Sequence, residues 1–501
     1  MARFNAASNS APTPTNKRTT NFAGGEAFKV SDELEIVGLL SSSFGTDKTY
    51  ETGDTQISRL ATAIADCKDP VFAAKAAIYA RDQFHMRTIT HVAAAEIVAK
   101  VKGESWTKNF VASVVQRPDD AMEIMSYYMS KYGHRGIPNA LKKGLGLALS
   151  KFSEYQLAKY RGEGKAMSLV DVVNLTHPRP SEAINKLMNG TLETPDTWEV
   201  ALTEAGKGAA SKEEKAIAKG EAWTDLINSG KIGYFALLRN LRNIAADAPE
   251  AADLAAEILT DKGLIAKSKV LPFRYLSAIT ALATNETAAG RTLMEAAERA
   301  MDIAMANVPV FDGSTLVVID VSGSMTTQPW NIGSNYRRKT TPYDAPIWLA
   351  AMFGAAILKA NPKADLMLFD GKARYHEVKR YDSTSTIQAE IIGLATGGTT
   401  NFHTPFQEAR AGYDRFIILS DMQGWVNYNS PINAYETYGA RSGKRPYVYS
   451  FDLTGSGTTQ LPANRIYSIS GFSDKVFDQI EMAEKDPNVL LNKINEVELL
   501  G

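Results

Sequence analysis

Apolar residues recur at spacings of three and four over most of residues 26–306, and the breaks between these stretches carry Gly, Pro, Asp or Ser. This spacing places the apolar side chains on one face of a helix. Examples are the stretches VFAAKAAIYARDQF, DAMEIMSYYMSKY and YFALLRNLRNIAA. The pattern predicts about ten successive helices with no strand-like alternation, which suits a stacked array of helix pairs.

The pattern changes near residue 308. Apolar runs rich in β-branched residues occupy positions 315–321, 364–369, 416–419 and 447–451, and helical stretches at 346–360 and 404–410 alternate with them. Such alternation is typical of a parallel α/β sheet. Residues 1–20 are small and polar, which favours a flexible arm. We therefore predict three parts: an arm at 1–20, a helical domain at 21–306 and an α/β domain at 307–501.

Composition narrows the class of protein. Of 501 residues, 44% are apolar and 22% are charged, which excludes a disordered or collagen-like chain. The single cysteine, Cys67, and the lack of a secretory signal pattern favour a cytoplasmic protein. The longest apolar run, residues 347–358, is too short to span a bilayer, so we expect no membrane association. The formal charge of −1 means that any nucleic-acid binding depends on local clustering.

Oxygen-bearing side chains follow two of the predicted strands. Asp320, Ser322 and Ser324 leave the first strand, Asp421 follows the strand RFIILS, and the Gly-rich loop 397–401 lies between them in sequence. The carboxyl ends of parallel strands meet at one edge of a sheet, and Mg²⁺ prefers oxygen ligands. An isolated DxSxS run would be an ordinary turn in which Asp and Ser bond nearby amides, whereas three such elements together predict a metal site.

This DxSxS, Thr and Asp pattern resembles the metal-ion-dependent adhesion site of the von Willebrand factor A domain, an α/β Rossmann-like fold. The resemblance implies that Asp320, Ser322 and Ser324 are ligands and that Asp421 binds directly or through water. Thr399 or Thr400 completes the set, and the Thr-Thr doublet leaves that choice open. We expect the cation to be Mg²⁺, with Ca²⁺ and Mn²⁺ as alternatives. In the family, a partner's carboxylate fills the sixth position, which is a binding function.

No enzymatic reaction is predicted. The cluster has no obvious general base, and we interpret His403 as a solvated loop histidine. The sequence contains no GxxxxGK[ST] loop, HExxH motif or paired-cysteine metal motif. A single metal with neutral hydroxyl ligands also lacks the two-metal arrangement of many nucleases.

A basic stretch lies in the helical part of the chain. Residues 140–180 contain seven Lys or Arg and three Asp or Glu, with Tyr155 and Tyr160 among them. The basic residues are Lys142, Lys143, Lys151, Lys159, Arg161, Lys165 and Arg179. Basic side chains near aromatic rings can neutralise phosphates and stack bases of single-stranded or irregular RNA. The alternative is a solvated basic helix face.

The helical half resembles the TROVE module of the Ro 60 kDa autoantigen family, including its bacterial members. The segments NALKKGLGLALSKFSEYQLAKYRGEGKAMSLVDVVNLTHPRP, WTDLINSGKIGYFALLRNLRNI and VLPFRYLSAI occur in the family's order. The resemblance implies a HEAT-like helical ring closed by the A domain. Such a ring binds noncoding Y-like RNA on its outer basic surface and takes single-stranded 3′ ends of structured or misfolded RNA into its hole.

By that resemblance Lys159, Arg161, Lys165 and His177 fall on the stretch that contacts Y RNA. Just before it lie Arg135, Lys142 and Lys143, each of which either extends this basic stretch or is an ordinary surface charge. We therefore predict a monomeric RNA-binding ribonucleoprotein scaffold for RNA quality control or processing. Docking of an exoribonuclease on the A domain is left open. The alternative function is a metal-dependent protein-interaction module that does not bind RNA.

Overall fold

The computed structural model describes most of the chain. The described residues are 17–42, 53–162, 165–194, 197–207, 211–268, 270, 273–283, 285–305, 308–326, 346–395, 397–424, 430–454, 458–461, 466–469 and 489–499. Residues 1–16 of the predicted arm lie outside this set.

Helices make up most of the described secondary structure. The α-helices are α1 (Asp32–Ser42), α2 (Gly53–Asp66), α3 (Pro70–Asp82), α4 (Thr88–Lys100), α5 (Thr107–Val114), α6 (Pro118–Tyr132), α7 (Asn139–Leu149), α8 (Glu154–Lys159), α9 (Leu169–Thr176), α10 (Glu182–Met188), α11 (Trp198–Ala205), α12 (Lys212–Asn228), α13 (Tyr234–Asp247), α14 (Ala252–Thr260), α15 (Lys262–Ser268), α16 (Phe273–Leu282), α17 (Ala288–Ala304), α18 (Gly323–Thr326), α19 (Pro346–Ala360), α20 (Thr384–Gly393), α21 (Thr404–Glu408), α22 (Pro431–Ser442) and α23 (Val489–Asn495). The strands are β1 (Arg18–Thr20), β2 (Glu26–Lys29), β3 (Thr315–Asp320), β4 (Ala364–Phe369), β5 (Ala373–His376), β6 (Arg415–Ser420), β7 (Tyr447–Asp452), β8 (Thr458–Thr459) and β9 (Ile466–Ile469).

The chain divides into two compact units. The α/β unit comprises Met1–Lys100, Val308–Asp382 and Thr386–Leu499, and the helical unit comprises Val101–Asn307, Ser383–Ser385 and the last two residues. This division differs from the boundary that the sequence predicts at residue 306, because helices α1–α4 belong with the C-terminal sheet.

A six-stranded sheet forms the centre of the α/β unit, with strand order β5-β4-β3-β6-β7-β9. All its neighbours pair in parallel except β5, which runs antiparallel to β4 at the edge. The predicted C-terminal α/β sheet is therefore confirmed. β-Branched and aromatic residues suit strands buried on both faces, and every residue of β3 and β6 is buried.

Helices cover both faces of this sheet. On one face, Leu316 and Val318 of β3 pack in a cluster with Phe406 of α21 and Tyr438 of α22. On the other face, α19 packs against β3, β4 and β6. A β-carbon at Gly354 of α19 would lie 2.5 Å from Ile319 Cδ1, so glycine allows the helix to approach the sheet closely. Successive residues of each strand thus point to opposite faces and pack against the two layers of helices.

A short three-stranded sheet of order β1-β2-β8 joins residues 18–29 to residues 458–459. Arg18, Thr19 and Thr20 pair antiparallel with β2, and β2 pairs with β8. Residues 18–20 are therefore a strand, although the sequence favoured a flexible arm through residue 20. Their side chains are exposed, which explains why no hydrophobic pattern marked them.

The helical unit contains helices at the positions that the periodicity predicts, such as α6, α7, α13 and α17. Shorter helices, such as α8 and α15, carry too few turns for a clear apolar period. Several helices pack against helices that lie two or three elements away in sequence, among them α5 with α7 and α14 with α17. Within the described ranges, no helix is both long and apolar enough to cross a membrane.

Gly144→Ala is expected to destabilise the helical unit at the crossing of α5 and α7. A β-carbon at this position would lie 2.6 Å from both the Lys108 carbonyl oxygen and Val111 Cβ. Overpacking costs about 1–3 kcal/mol, which exceeds the gain of up to about 1 kcal/mol in helix propensity. Calorimetry should show a melting temperature several degrees lower.

Gly393→Ala is the matched control, because a β-carbon there meets nothing within 4 Å. It should leave the melting temperature unchanged or slightly raised. An unchanged melting temperature in Gly144→Ala would contradict the close helix crossing.

Candidate metal centre and nucleic-acid interface

The two predicted metal carboxylates leave adjacent parallel strands. β3 ends at Asp320 and β6 ends at Ser420, and the register pairs Ile319 with Leu419. Asp421 is therefore at the same edge of the sheet as Asp320. Both carboxylates are buried, with exposed fractions of 0% and 1%.

Hydrogen bonds connect the carboxylates through the serines between them. The Ser322 amide donates to Asp320 Oδ1 at 2.9 Å, and Ser420 Oγ donates to Asp320 Oδ2 at 2.6 Å. The hydroxyls of Ser322 and Ser324 lie 3.4 Å apart, and Ser324 bonds the Asp421 carboxylate. The sequence-predicted residues of the DxSxS run and Asp421 thus form one buried cluster, which we call the carboxylate–hydroxyl cluster.

The Gly-rich loop 397–401 docks beside this cluster through its backbone. The Gly323 amide donates to the Gly398 carbonyl at 2.9 Å, and the Gly397 amide donates to the Val321 carbonyl at 3.3 Å. In this loop Thr399 is exposed and Thr400 is 2% exposed. The loop brings both threonines to the predicted edge of the sheet.

Burial and mutual repulsion raise the pKa of Asp421, and burial raises that of Asp320. Within the described residues, no Lys, Arg or His forms an ion pair with either carboxylate. Two buried like charges without a cationic partner are costly. A divalent cation would neutralise the charges of both carboxylates. Carboxylate and hydroxyl oxygens are the ligands that a hard metal such as Mg²⁺ prefers, so these residues fit such a metal.

Sequence reasoning missed Asp370, which follows β4 at the same edge. Its charge raises the pKa of Asp320, and its carbonyl accepts the Asn401 amide at 3.0 Å. Its position directly after a predicted strand was the available signal. The interpretation of His403 as solvated was wrong, because it is 7% exposed, and desolvation lowers its pKa.

The N-terminal segment holds the loop that follows Asp421. Asn21 Nδ2 donates to the Gly424 carbonyl at 2.5 Å, and the Ala23 amide donates to Gln423 Oε1 at 3.3 Å. The Gln423 amide in turn donates to Asp421 Oδ1 at 3.0 Å. These bonds span about 400 positions of sequence, and no local pattern could have indicated them.

The predicted RNA contacts lie on several elements of the helical unit. Lys142 and Lys143 are in the first turns of α7, Lys159 ends α8, and His177 caps α9. Lys143, Lys159, Lys165 and His177 are exposed, whereas Lys142 is half-buried. Arg161 is also half-buried, and it differs from these residues because its guanidinium donates to the carbonyl oxygens of residues 192 and 193, at 3.1 and 3.4 Å.

Helix α7 packs against the segment that carries His177. A β-carbon at Gly146 would lie 3.3 Å from the Thr176 carbonyl oxygen and 3.4 Å from Pro178 Cα. Lys142 lies one helical turn before Gly146, so it occupies the same side of α7. His177 has φ 46°, a left-handed conformation that is uncommon outside glycine. Helix α9 thus ends at His177, whose side chain is exposed.

These observations define a class of protein: a helix-rich chain with a C-terminal α/β sheet that contains a buried carboxylate–hydroxyl cluster. A family model for the TROVE domain matches residues 35–190 and 181–300, which together cover more than half of the sequence. The chain therefore belongs to the TROVE domain family, and the predicted family membership is confirmed.

Two curated relatives and one solved structure are similar to the chain. The RNA-binding protein RO60 of Deinococcus radiodurans is 22% identical over 326 residues, which cover 58% of this chain and 60% of that protein. Telomerase protein component 1 of Mus musculus is 21% identical over 332 residues, which cover 48% of this chain and 12% of that protein. The chain thus spans less than two thirds of either relative's length.

The crystal structure of the Deinococcus radiodurans Ro (RSR) protein matches with a TM-score of 0.57 and 18% identity, covering 93% of this chain and 100% of that one. At this level of identity, the likeness concerns the fold alone.

Stabilisation by Mg²⁺ is expected to grow as the pH rises. Because the pKa values of Asp320 and Asp421 are raised, the folded state binds more protons than the unfolded state between the ordinary carboxylate range and neutral pH. The metal-free protein therefore loses stability as the pH rises through that window. Melting temperatures with chelator and with Mg²⁺ should diverge toward neutral pH.

The Asp320→Asn/Asp421→Asn variant is the control, because it removes both titrating groups. Its melting temperature should not respond to Mg²⁺, and its loss of stability toward neutral pH should be smaller than that of the wild type. A wild-type response to Mg²⁺ that is equally large well below neutral pH would contradict this account.

Proposed function

We propose that this protein is an RNA-binding ribonucleoprotein scaffold. Membership of the TROVE family and the exposed basic residues of the helical unit support the proposal. The observation that carries it is the packing of α7 against the Thr176–Pro178 segment. This packing places α7, the helix that carries Lys142 and Lys143, against the segment that carries His177.

The RNA ligands that we propose are noncoding Y-like RNA on the outer basic surface and single-stranded 3′ ends of structured or misfolded RNA in a central hole. A ring of the helical repeats closed by the α/β domain is part of the proposal. Basic side chains contact mainly phosphates, so RNA shape and free ends rather than base edges would give specificity. The protein would act as a cytoplasmic monomer in RNA quality control or processing, and not as an enzyme.

We also propose that the carboxylate–hydroxyl cluster binds Mg²⁺, as in a von Willebrand factor A domain. Asp320, Ser322 and Ser324 would hold the cation with Asp421 and one of the two loop threonines. The support is chemical: small oxygen donors surround two buried carboxylates that lack a cationic partner among the described residues. Bound there, the cation would offer a coordination position to a partner's carboxylate.

A metal-dependent protein-interaction module without RNA binding is the second candidate. The buried cluster favours it for the α/β unit taken alone. It gives no reason for the exposed basic residues Lys143, Lys159 and Lys165 of the helical unit, so we place it second.

Removing charge from the predicted RNA contacts should weaken binding and reduce its salt dependence. About four to six phosphate contacts would give a log–log salt slope of about −3 to −5. The Lys159→Gln/Lys165→Gln/His177→Gln variant should weaken binding of a structured RNA by roughly tenfold or more and flatten the slope by about 2. Filter binding over a range of salt concentrations measures both quantities.

Lys212→Gln/Lys215→Gln is the charge-matched control, because both lysines are exposed on α12. It should bind RNA as the wild type does. Equal affinity and an equal slope in the Lys159, Lys165 and His177 variant would contradict the proposed contacts.

Single threonine variants should identify the hydroxyl ligand of the metal. Thr399→Val and Thr400→Val each remove one hydroxyl at nearly constant volume. The variant that loses the ligand should bind Mg²⁺ at least about tenfold more weakly in calorimetric titration, since metal sites lose roughly 10–100-fold even on removal of supporting groups. The other variant serves as its control, and unchanged affinity in both would contradict a threonine ligand.

A further inference from the structure

The segment that runs from the second half of α6 through the α6–α7 turn and α7 is strongly basic. Residues 124–153 contain five Lys or Arg and no Asp or Glu. Among them, Lys131, Arg135 and Lys143 are exposed. Within the part of the chain that the structure describes, no carboxylate forms an ion pair with Arg135, Lys142 or Lys143. The positive charge of these three side chains is therefore not neutralised by a described carboxylate, and it favours a polyanion.

Aromatic rings accompany these cations. Tyr132, the last residue of α6, is 41% exposed. Its ring lies on that of Tyr128, with centroids 5.0 Å apart and an interplanar angle of 36°. Lys131 Nζ lies 5.5 Å from the centroid of the Tyr132 ring and 6.0 Å from that of Tyr127. Because Tyr128 is only 6% exposed, it supports the Tyr132 ring from the core side.

The backbone fixes where this ring is presented. The Gly133 amide donates the last helical bond of α6, to the Met129 carbonyl at 2.9 Å, and the φ of 84° at Gly133 ends the helix directly after Tyr132. His134 and Arg135 follow at once and are exposed. An aromatic ring is thus held at a helix end between cations on both sides in the sequence.

Solvation explains exposed lysines, but it does not favour an exposed ring between them. A nucleobase has an apolar face and flanking phosphates, and this pair of features matches an aromatic ring beside cations. Base faces are accessible only in unpaired nucleotides, since a duplex stacks them against each other. The local chemistry therefore favours unpaired RNA over double-stranded RNA and over an acidic peptide, which has no face to stack.

We propose that the α6–α7 turn is an RNA-binding site that stacks an unpaired nucleobase on Tyr132. Lys131, Arg135 and Lys143 hold the phosphates on either side of that base. The proposal rests on the proposed RNA binding of the helical unit and adds to it a site for unpaired nucleotides, outside the contacts at Lys159, Lys165 and His177.

The test compares Tyr132→Ala with Tyr132→Phe in the full chain. Binding of a short unstructured oligouridylate should weaken by about 5- to 150-fold in Tyr132→Ala, the range for loss of one stacked base. The salt slope should not change, because no cation is lost. Tyr132→Phe keeps the ring and should bind as the wild type does. A blunt-ended RNA duplex, which has no unpaired nucleotides, should bind both variants equally.

Arg135→Gln removes one cation and keeps the ring. It should flatten the salt slope by about 0.7, the value for one phosphate contact with a single strand. Tyr381→Ala is the matched control, because Tyr381 is 83% exposed in the α/β unit. It should bind the oligouridylate as the wild type does. Melting temperatures verify that each variant is folded.

The outcomes separate this site from the proposed function. If the wild type binds RNA and Tyr132→Ala binds oligouridylate equally well, the stacking site is overturned and the scaffold function stands. If the wild type binds no RNA at low salt, both are overturned. Binding of polyglutamate with the same dependence on Tyr132 would overturn the stacking site in favour of an acidic peptide.

Discussion

Parallel pairing of β3 with β6 places two carboxylates side by side in a space from which water is excluded. Asp320 and Asp421 cannot separate without breaking the register between Ile319 and Leu419. The sheet therefore enforces a like-charge pair, and serine hydroxyls and backbone amides stabilise it only in part. A proton or a cation must supply the remaining compensation. The chemistry of this edge follows from strand topology more than from any single residue.

The same edge explains why the first hundred residues belong with the C-terminal sheet. Asn21 and Ala23 donate hydrogen bonds to Gly424 and Gln423 in the loop after Asp421. In addition, β2 pairs with β8. Met422, inside that loop, has φ 60° and is buried, so the surrounding structure holds a strained backbone beside a candidate ligand. The loop thus depends on contacts from both ends of the sequence.

Sequence alone predicted the features that local pattern encodes. The run at 364–369 coincides with β4, and the runs at 315–321, 416–419 and 447–451 lie within one residue of β3, β6 and β7 at each end, because buried β-branched strands carry a strong signal. The DxSxS cluster could be predicted because strand ends meet. The hairpin of β1 and β2, the burial of His403 and the bonds of Arg161 to residues 192–193 depend on distant partners, so no local pattern indicated them.

Our account assigns RNA to the helical unit and the cation to the α/β unit, and this separation is its central claim. The most direct test measures the affinity of the intact protein for an unstructured RNA at constant ionic strength, once with Mg²⁺ and once with chelator. The account predicts the same dissociation constant in both conditions, because basic side chains and an aromatic ring hold the RNA. Loss of RNA binding on chelation, with the protein still folded, would contradict it.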